Sequence, residues 1–271
     1  MLTNAEFIRI STYMKKKYGI DLTQKREILN GRLENMIRKG GWDSYSAFFS
    51  DLESDITGRL ESEMVNLLTT NHTYFMRESE HFEFMRKTVL PYLSTKYRDT
   101  KDLRIWCAAS SSGEEPYTLA MLLMDYFGYE HKNWDTKILA TDLSTDVLKT
   151  AVNGVYSAEQ TRAIPENWKR RFFRPVNGGE KFSVTDELKN EVTFRQFNLM
   201  DPFPFRGKMH VVFLRNVMIY FDKNDKTHLL QKIFDIMEPG GYLFIGRTET
   251  IEHGIQLFNM VEPSIFRKPE V

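Results

Sequence analysis

The chain has 271 residues and is 41% hydrophobic, which is enough for two domains with buried cores. Lysine plus arginine and aspartate plus glutamate both number 37, so the formal net charge is zero. A net positive charge that would attract nucleic acid or an anionic membrane is therefore missing. The sequence has no apolar signal core and no bilayer-length apolar stretch, and its single cysteine, Cys107, rules out an intramolecular disulfide. We therefore expect a soluble cytoplasmic protein that does not insert directly into a membrane.

Residues 1–70 show only the periodicity of amphipathic helices, and we expect an all-α N-terminal domain there. Gly19 and Gly40-Gly41 are the predicted helix stops, and Asp43 or Ser44 is the expected cap of the following helix.

Basic residues recur along one predicted helix of this domain. Lys25, Arg32 and Lys39 are spaced seven residues apart and therefore share one face. A solvated helix face is the favoured explanation of this stripe, and a docking surface for an acidic helical partner is the alternative. The sequence leaves both interpretations open.

Residues 71–90 are predicted to form a linker and a connecting helix. The linker reads Asn71-His72-Thr73-Tyr74-Phe75-Met76-Arg77. Asn71 or Thr73 as a simple helix N-cap accounts for either residue, but it does not account for Arg77 among aromatic residues.

From Leu103 onward, apolar runs alternate with helical patterns, which favours a mostly parallel sheet. The predicted strands are Arg104–Cys107, Lys137–Thr141, Val192–Phe197, Val211–Leu214 and Tyr242–Ile245. Residues 237–241 are expected to end a helix and turn into the last of these strands. The C-terminal residues are expected to add one or two closing strands to this sheet. Residues 172–197 predict a small antiparallel β-subdomain around a glycine turn.

The first predicted strand passes through small residues into a helix that begins near Pro116. Glu114 and Glu115 disfavour a phosphate at this helix N-terminus, whereas a ligand with hydroxyls and positive charge, such as an adenosyl sulfonium, fits. Asp142 ends the second strand and is placed either to accept from ribose hydroxyls or to cap the next helix. The histidines lack metal-ligand spacing, so no metal site is predicted.

Four segments occur together in order: Asn71-x-Thr73-x-Phe75-x-Arg77-Glu78, Ser112-Gly113-Glu114-Glu115-Pro116-Tyr117, Asn198-Leu199, and Phe213-Leu214-Arg215-Asn216-Val217-Met218-Ile219-Tyr220-Phe221-Asp222. With them the chain resembles, over nearly its full length, the chemotaxis receptor glutamate methyltransferases of the CheR type. The resemblance implies an α/β fold, namely a Rossmann-like class I methyltransferase domain (91–271) with a small antiparallel β-subdomain (about 172–197), behind an all-α N-terminal domain (1–70) and a linker with its helix (71–90).

The resemblance also implies a function and a site. The implied reaction is methyl transfer from S-adenosylmethionine to glutamate carboxylates of chemoreceptors, which gives glutamate methyl esters and S-adenosylhomocysteine. Arg77 and Tyr220 are implied to lie closest to the transferred methyl. The implied cofactor contacts are Asn71, Thr73, Arg77, Glu115, Asp142, Asn198, Leu199, Arg215 and Asn216.

The implied partner is the cytoplasmic helical bundle of a chemoreceptor, with no nucleic acid. Some family members hold a receptor-tail peptide at a Gly-Thr-Gly type turn, which is missing from Arg174–Glu180 here. We therefore expect no dependence on a receptor tail. Two rival functions remain: a methyltransferase of the same fold acting on a small molecule or nucleic acid, and a catalytically silent sensor of the cofactor.

Overall fold

The computed structural model describes residues 2–252 and 257–270. Within these two ranges, no helix is both long and apolar enough to cross a membrane.

The N-terminal part of the chain is helical throughout. Its helices are α1 (Asn4–Tyr18), α2 (Arg26–Gly40), α3 (Tyr45–Ser54) and α4 (Arg59–Leu68). Gly19 and Gly41 end α1 and α2 at φ 70° and 77°, a region that glycine enters without a Cβ clash. Ser44 caps α3 by accepting the Ala47 N–H at 3.1 Å. The predicted helix stops and cap are therefore confirmed.

The linker follows without regular structure and leads into a long helical segment. This segment consists of α5 (Ser79–Phe84), a π-helical turn (Met85–Val89) and α6 (Leu90–Lys96). The remaining helices are α7 (Glu114–Phe127), α8 (Thr145–Asn153), α9 (Glu166–Phe172), α10 (Asp186–Lys189) and α11 (Lys223–Ile236). Short 3₁₀ turns span Gly128–Asn133, Asn177–Gly179 and Met218–Tyr220.

Seven strands form the main sheet. They are β1 (Ile105–Ala108), β2 (Ile138–Asp142), β6 (Val192–Gln196), β7 (Met209–Leu214), β8 (Met237–Ile245), β9 (Asn259–Glu262) and β10 (Ile265–Arg267). The order is β6-β2-β1-β7-β8-β10-β9, with the first five strands parallel and the last two antiparallel. The five predicted strands and the closing tail strands are confirmed. The connection reverses direction between β1 and β7, which makes the carboxyl ends of these strands the expected ligand site.

Both faces of the sheet are buried at its central strand β1. Ile105 and Cys107 of β1 join one apolar cluster with α5–α7, while Trp106 and Ala108 join a second cluster with α11. This alternation follows from the two-residue period of a strand. A third cluster forms the separate core of α1–α4. The all-α domain followed by a Rossmann-like α/β domain is the predicted fold class.

A second, three-stranded antiparallel sheet has the order β3-β5-β4, where β3 is Val155–Ser157, β4 is Phe173–Val176 and β5 is Lys181–Val184. The small subdomain was predicted, but its span differs from 172–197. Residues 192–196 pair with β2 in the main sheet, and β3 comes from much earlier in the chain. A three-residue strand is too short to show alternation in sequence.

One boundary near the C-terminus also differs from the prediction. Residues 237–241 were expected to form a turn, but β8 begins at Met237, directly after α11. The register of β8 against β7 shifts between Met209 and Val211, and this irregularity accommodates Pro239 and Gly240 within the strand.

Candidate active site

A cavity opens at the carboxyl ends of β1, β2 and β7 and is covered by the linker and the N-terminal helices. All ten residues predicted for cofactor binding or catalysis line it: Asn71, Thr73, Arg77, Glu115, Asp142, Asn198, Leu199, Arg215, Asn216 and Tyr220. The structure thus brings the whole predicted set together, although the contact of each residue with a ligand stays a prediction.

The turns that follow β1 and β7 place non-glycine residues in the left-handed region. Ala109, Ser111 and Asn216 have φ values of 65°, 49° and 57°. Such conformations carry a strain cost and concentrate at ligand sites. Gly113 has φ 97°, and a Cβ there would lie 2.9 Å from both the Ala151 Cβ and the Tyr156 hydroxyl. Glycine is therefore required at position 113 for the close approach of α7 to its neighbours.

Asp142 lies at the end of β2 and is 7% exposed. Its Oδ2 accepts the Ser111 N–H at 2.8 Å, and its Oδ1 accepts the Ser144 N–H at 2.9 Å. Burial raises the pKa of Asp142, while these backbone N–H donors favour the ionised form. Since each oxygen keeps a free lone pair, the carboxylate can still accept from a ligand hydroxyl.

Arg215 follows β7 and its side chain is 1% exposed. Its Nη1 donates to Glu115 at 2.8 Å, and its Nη2 donates to Glu78 at 3.0 Å and to the Arg77 carbonyl at 2.5 Å. Its Nε lies 3.3 Å from the same Glu78 oxygen, so a single Nη1 proton remains for a ligand. Arg215 therefore ties the linker and α7 to β7, in addition to any contact with a cofactor.

The two carboxylates that flank Arg215 respond differently to it. Burial raises the pKa of Glu115, and the Arg215 charge only partly opposes this shift. Burial acts in the same sense on Glu78, but Arg215 and the hydrogen bonds from Arg247 and Asn216 hold its pKa below the usual value. Glu78 is therefore the firmly ionised partner of this cluster.

Two family profiles match the chain in succession. The CheR methyltransferase SAM-binding domain profile matches residues 71–266, and the CheR methyltransferase all-alpha domain profile matches residues 5–69.

The chain belongs to the CheR methyltransferase family.

Three curated relatives cover almost the whole chain. A chemotaxis protein methyltransferase of Borreliella burgdorferi is 36% identical over 98% of this chain and 95% of its own length. Chemotaxis protein methyltransferase 2 of Pseudomonas aeruginosa is 34% identical over 97% and 93% of the two chains. The chemotaxis protein methyltransferase of Escherichia coli strain K12 is 33% identical over 98% and 91%. This CheR-family chain is accordingly an S-adenosylmethionine-dependent methyltransferase.

The cavity suits this cofactor chemically. The Asp142 carboxylate offers acceptor sites for ribose hydroxyls, and Leu143, Phe197 and Leu199 supply an apolar wall for a purine. The Glu115 carboxyl, which accepts the Arg215 Nη1 N–H, lines the same cavity and is a candidate acceptor for the ammonium group of the cofactor. Among the described residues, no group of three or more metal-ligating side chains converges.

The linker of this CheR-family methyltransferase is held against the end of β1. The Ser111 hydroxyl donates to the Asn71 carbonyl at 2.9 Å, and the Asn71 amide donates to Thr69 Oγ1 at 3.1 Å. The Arg77 Nη1 donates to the His72 carbonyl at 2.7 Å, and its guanidinium carbon lies 5.8 Å from the centre of the Tyr74 ring. The Arg77 side chain is thus positioned by the linker itself, with further N–H donors left for a ligand.

Tyr220 joins the cavity to the N-terminal domain. Its hydroxyl donates to the Thr70 carbonyl at 3.4 Å, its carbonyl accepts the Asp21 N–H at 3.0 Å, and Lys25 Nζ lies 5.1 Å from its ring centre. Asn198 makes a similar link, because its amide donates to the Lys17 carbonyl at 2.9 Å. The N-terminal helices therefore form part of the cavity wall.

The three residues of the predicted docking stripe differ in exposure and in their contacts, and their role in docking stays a prediction. Lys25 and Arg32 line the cavity and are half-buried, whereas Lys39 is exposed in a second groove that Arg32 also lines. Arg32 Nη1 donates to the carbonyls of Leu67, Leu68 and Thr69 at 3.2, 3.1 and 2.9 Å, so it caps the end of α4. The spacing of seven residues placed the three side chains on one face, and the fold leaves two of them half-buried.

Sequence reasoning missed Glu249 as part of the site. It is 6% exposed and accepts backbone N–H groups from Gly246 at 2.6 Å, Asn216 at 2.8 Å, Met218 at 2.7 Å and Ile219 at 3.3 Å. It therefore shapes the turn between Arg215 and Tyr220. A lone glutamate in a loop gives no local signal of such a role. Glu78 was part of the recognised linker motif, but its ion pair with Arg215 was not predicted.

Proposed function

We propose that this chain is a protein-glutamate O-methyltransferase that forms methyl esters on glutamate side chains of chemotaxis receptors. The observation that carries the proposal is the convergence of Arg77 and Tyr220 on one cavity with Asp142, in a chain whose relatives are named chemotaxis protein methyltransferases. We further propose the domain limits 1–70, 71–90 and 91–271, and a cytoplasmic location.

The chemistry needs an oriented nucleophile rather than a general base. When bound, S-adenosylmethionine supplies a methyl group on a positively charged sulfur. A glutamate carboxylate is already ionised at neutral pH, so the site removes no proton. Among the residues that the structure describes, the exposed His72 of the linker is the only histidine that lines the cavity.

Arg77 and Tyr220 act on the substrate carboxylate in this proposal. The free N–H groups of Arg77 form a planar donor pair for a carboxylate, and the Tyr220 hydroxyl fixes its direction. Their principal role is alignment, because tight binding of the ground-state carboxylate would raise the barrier. The apolar cavity walls exclude water and strengthen both interactions.

The N-terminal domain supplies part of receptor recognition in this proposal. Lys25 stands at the cavity beside Tyr220 and has no carboxylate within ion-pair distance in the part of the chain that the structure describes. Lys39 is exposed at the far end of α2. These two cations, rather than the original three, are the proposed contacts for an acidic helical bundle.

The small sheet is proposed not to require a receptor-tail peptide. Its edge strand β4 contains Pro175, which lies opposite Phe182 and has no N–H to donate to an added strand. Calorimetric titration of a tail peptide, together with methylation of receptors with and without their tails, tests this. Micromolar peptide binding or a large loss of rate on tail removal would overturn it.

The central experiment incubates the protein with methyl-labelled cofactor and receptor-rich membranes and then measures base-labile methanol. Label that is released by mild base supports a glutamate ester. Base-stable label, or transfer to small molecules or nucleic acid only, would contradict the proposal. Cofactor binding without any transfer would indicate a silent sensor.

A further inference from the structure

The two domains are fastened to each other beside the cavity by four polar side chains, Ser62 and Asn66 of α4 and Ser144 and Thr145 at the start of α8, which we call the clasp. The Ser144 hydroxyl donates to Asn66 Oδ1 at 2.9 Å, and the Asn66 amide donates to Thr145 Oγ1 at 3.1 Å. The Ser62 hydroxyl lies 3.1 Å from the same Thr145 oxygen. Ser144 is 1% exposed and Asn66 is half-buried, so their hydrogen bond is partly shielded from water.

The clasp is connected directly to the cavity through Asp142. Asp142 Oδ1 accepts the Ser144 N–H, while Oδ2 accepts the Ser111 N–H. The Ser111 hydroxyl in turn donates to the carbonyl of Asn71 in the linker. The two oxygens of one buried carboxylate therefore hold the clasp on one side and the linker on the other.

The linker returns to α4 and closes a ring. Asn71 donates to Thr69 Oγ1, and the Thr69 N–H donates to the Val65 carbonyl at 2.9 Å in the last turn of α4. Val65 precedes Asn66, where the clasp begins. A continuous path of hydrogen bonds and one helical turn thus runs from Asp142 through both domains and back to Asp142.

We infer that Asn66 is a positioning residue. It couples occupancy of the cofactor site to the packing of the N-terminal domain against the methyltransferase domain. A ligand that hydrogen-bonds the Asp142 carboxylate restrains the contacts of Asp142 with both Ser144 and Ser111. It therefore also restrains α4 and the linker that carries Arg77. Asn66 is the one side chain that bonds both Ser144 and Thr145 across the domain boundary, among the hydrogen bonds of the described residues. By thermodynamic linkage, the factor by which the cofactor favours this packing equals the factor by which the packing raises the affinity for the cofactor.

The test uses the full chain and S-adenosylhomocysteine as the ligand, with no receptor present. Amide hydrogen exchange is followed in residues 59–71 and, separately, in residues 109–115 beside the cavity. In the unaltered chain, the ligand should slow exchange in both segments. In Asn66→Ala, slowing in 109–115 should persist while slowing in 59–71 is lost, and calorimetry should show affinity reduced about threefold to tenfold.

Two further variants keep the test decisive. Thr145→Val removes the hydroxyl that Ser62 and Asn66 share but keeps the side-chain shape, so it should give a partial loss of slowing in 59–71. Asn35→Ala removes an exposed amide from α2 and should behave as the unaltered chain. Ligand-induced slowing of 59–71 that is as large in Asn66→Ala as in the unaltered chain would overturn the inference. So would an unaltered chain in which the ligand slows 109–115 alone.

Discussion

The buried carboxylate of Glu249 makes a sharp prediction for Glu249→Gln, a change that preserves shape. Oε2 accepts from Gly246 and Asn216, and Oε1 accepts from Met218 and Ile219. Glutamine keeps one accepting oxygen and turns an NH₂ group toward two backbone N–H donors. Two charge-assisted hydrogen bonds are therefore lost, and two buried N–H groups are left without acceptors.

The magnitude follows from these four contacts. Loss of two hydrogen bonds to a charged group corresponds to about 3–6 kcal/mol before any compensation. Burial raises the pKa of Glu249, so removal of the charge recovers part of this cost, and we expect a net loss of about 2–4 kcal/mol in the free energy of unfolding. Thermal unfolding should then shift down by about 5–15 °C.

The assay combines thermal unfolding with methyl-transfer rates. Turnover at a temperature where the variant is folded should fall at least about tenfold, because the turn that Glu249 shapes carries Arg215 and Tyr220 into the cavity. Glu252→Gln is the matched control: Glu252 is a surface partner of Lys223, and its loss should change stability by less than about 1 kcal/mol. A Glu249→Gln protein with the melting temperature and turnover of its control would refute this reasoning.

Three other predictions test the site and the pH response. Asp142→Asn should weaken binding of S-adenosylhomocysteine by about 1.5–3 kcal/mol in calorimetry, since a neutral amide loses a charged acceptor; unchanged affinity in a folded variant would move the ribose contact elsewhere. Tyr220→Phe should lower turnover more than cofactor affinity, and full turnover would remove Tyr220 from the catalytic set. His81 and His210 are buried, and desolvation lowers the pKa of each from 6.5 to about 4. Because the unfolded chain takes up these protons first, each histidine should cost up to about 3 kcal/mol of stability as pH falls from 6.5 to 4, and a His81→Gln/His210→Gln protein should show a flatter denaturant-midpoint profile over that window.

Local patterns in the sequence predicted most of the helices and strands, whereas most of the cavity residues were assigned through the family resemblance. The helical period of residues 1–70 and the alternation of strands and helices after Leu103 depend on short-range spacing, which the sequence carries directly. The parallel strands then dictate that residues at their carboxyl ends converge. Strand geometry alone made Asp142 a candidate ligand contact, with a helix cap as the alternative. Arg215, which is far from Asp142 in the chain, was assigned to the same site only through the family resemblance.

The tertiary structure alone decided which side chains are engaged and with what. Arg32 has the spacing of an exposed stripe, yet it caps α4, because the fold brings the carbonyls at the end of that helix to it. Glu249 lies 33 residues from Asn216, and the coupling of Asn66 to Ser144 spans 78 residues. Such contacts depend on the path of the whole chain and on how two separate cores pack together. A periodic pattern states which face of an element is apolar, but it contains no information on the neighbour that this face will meet.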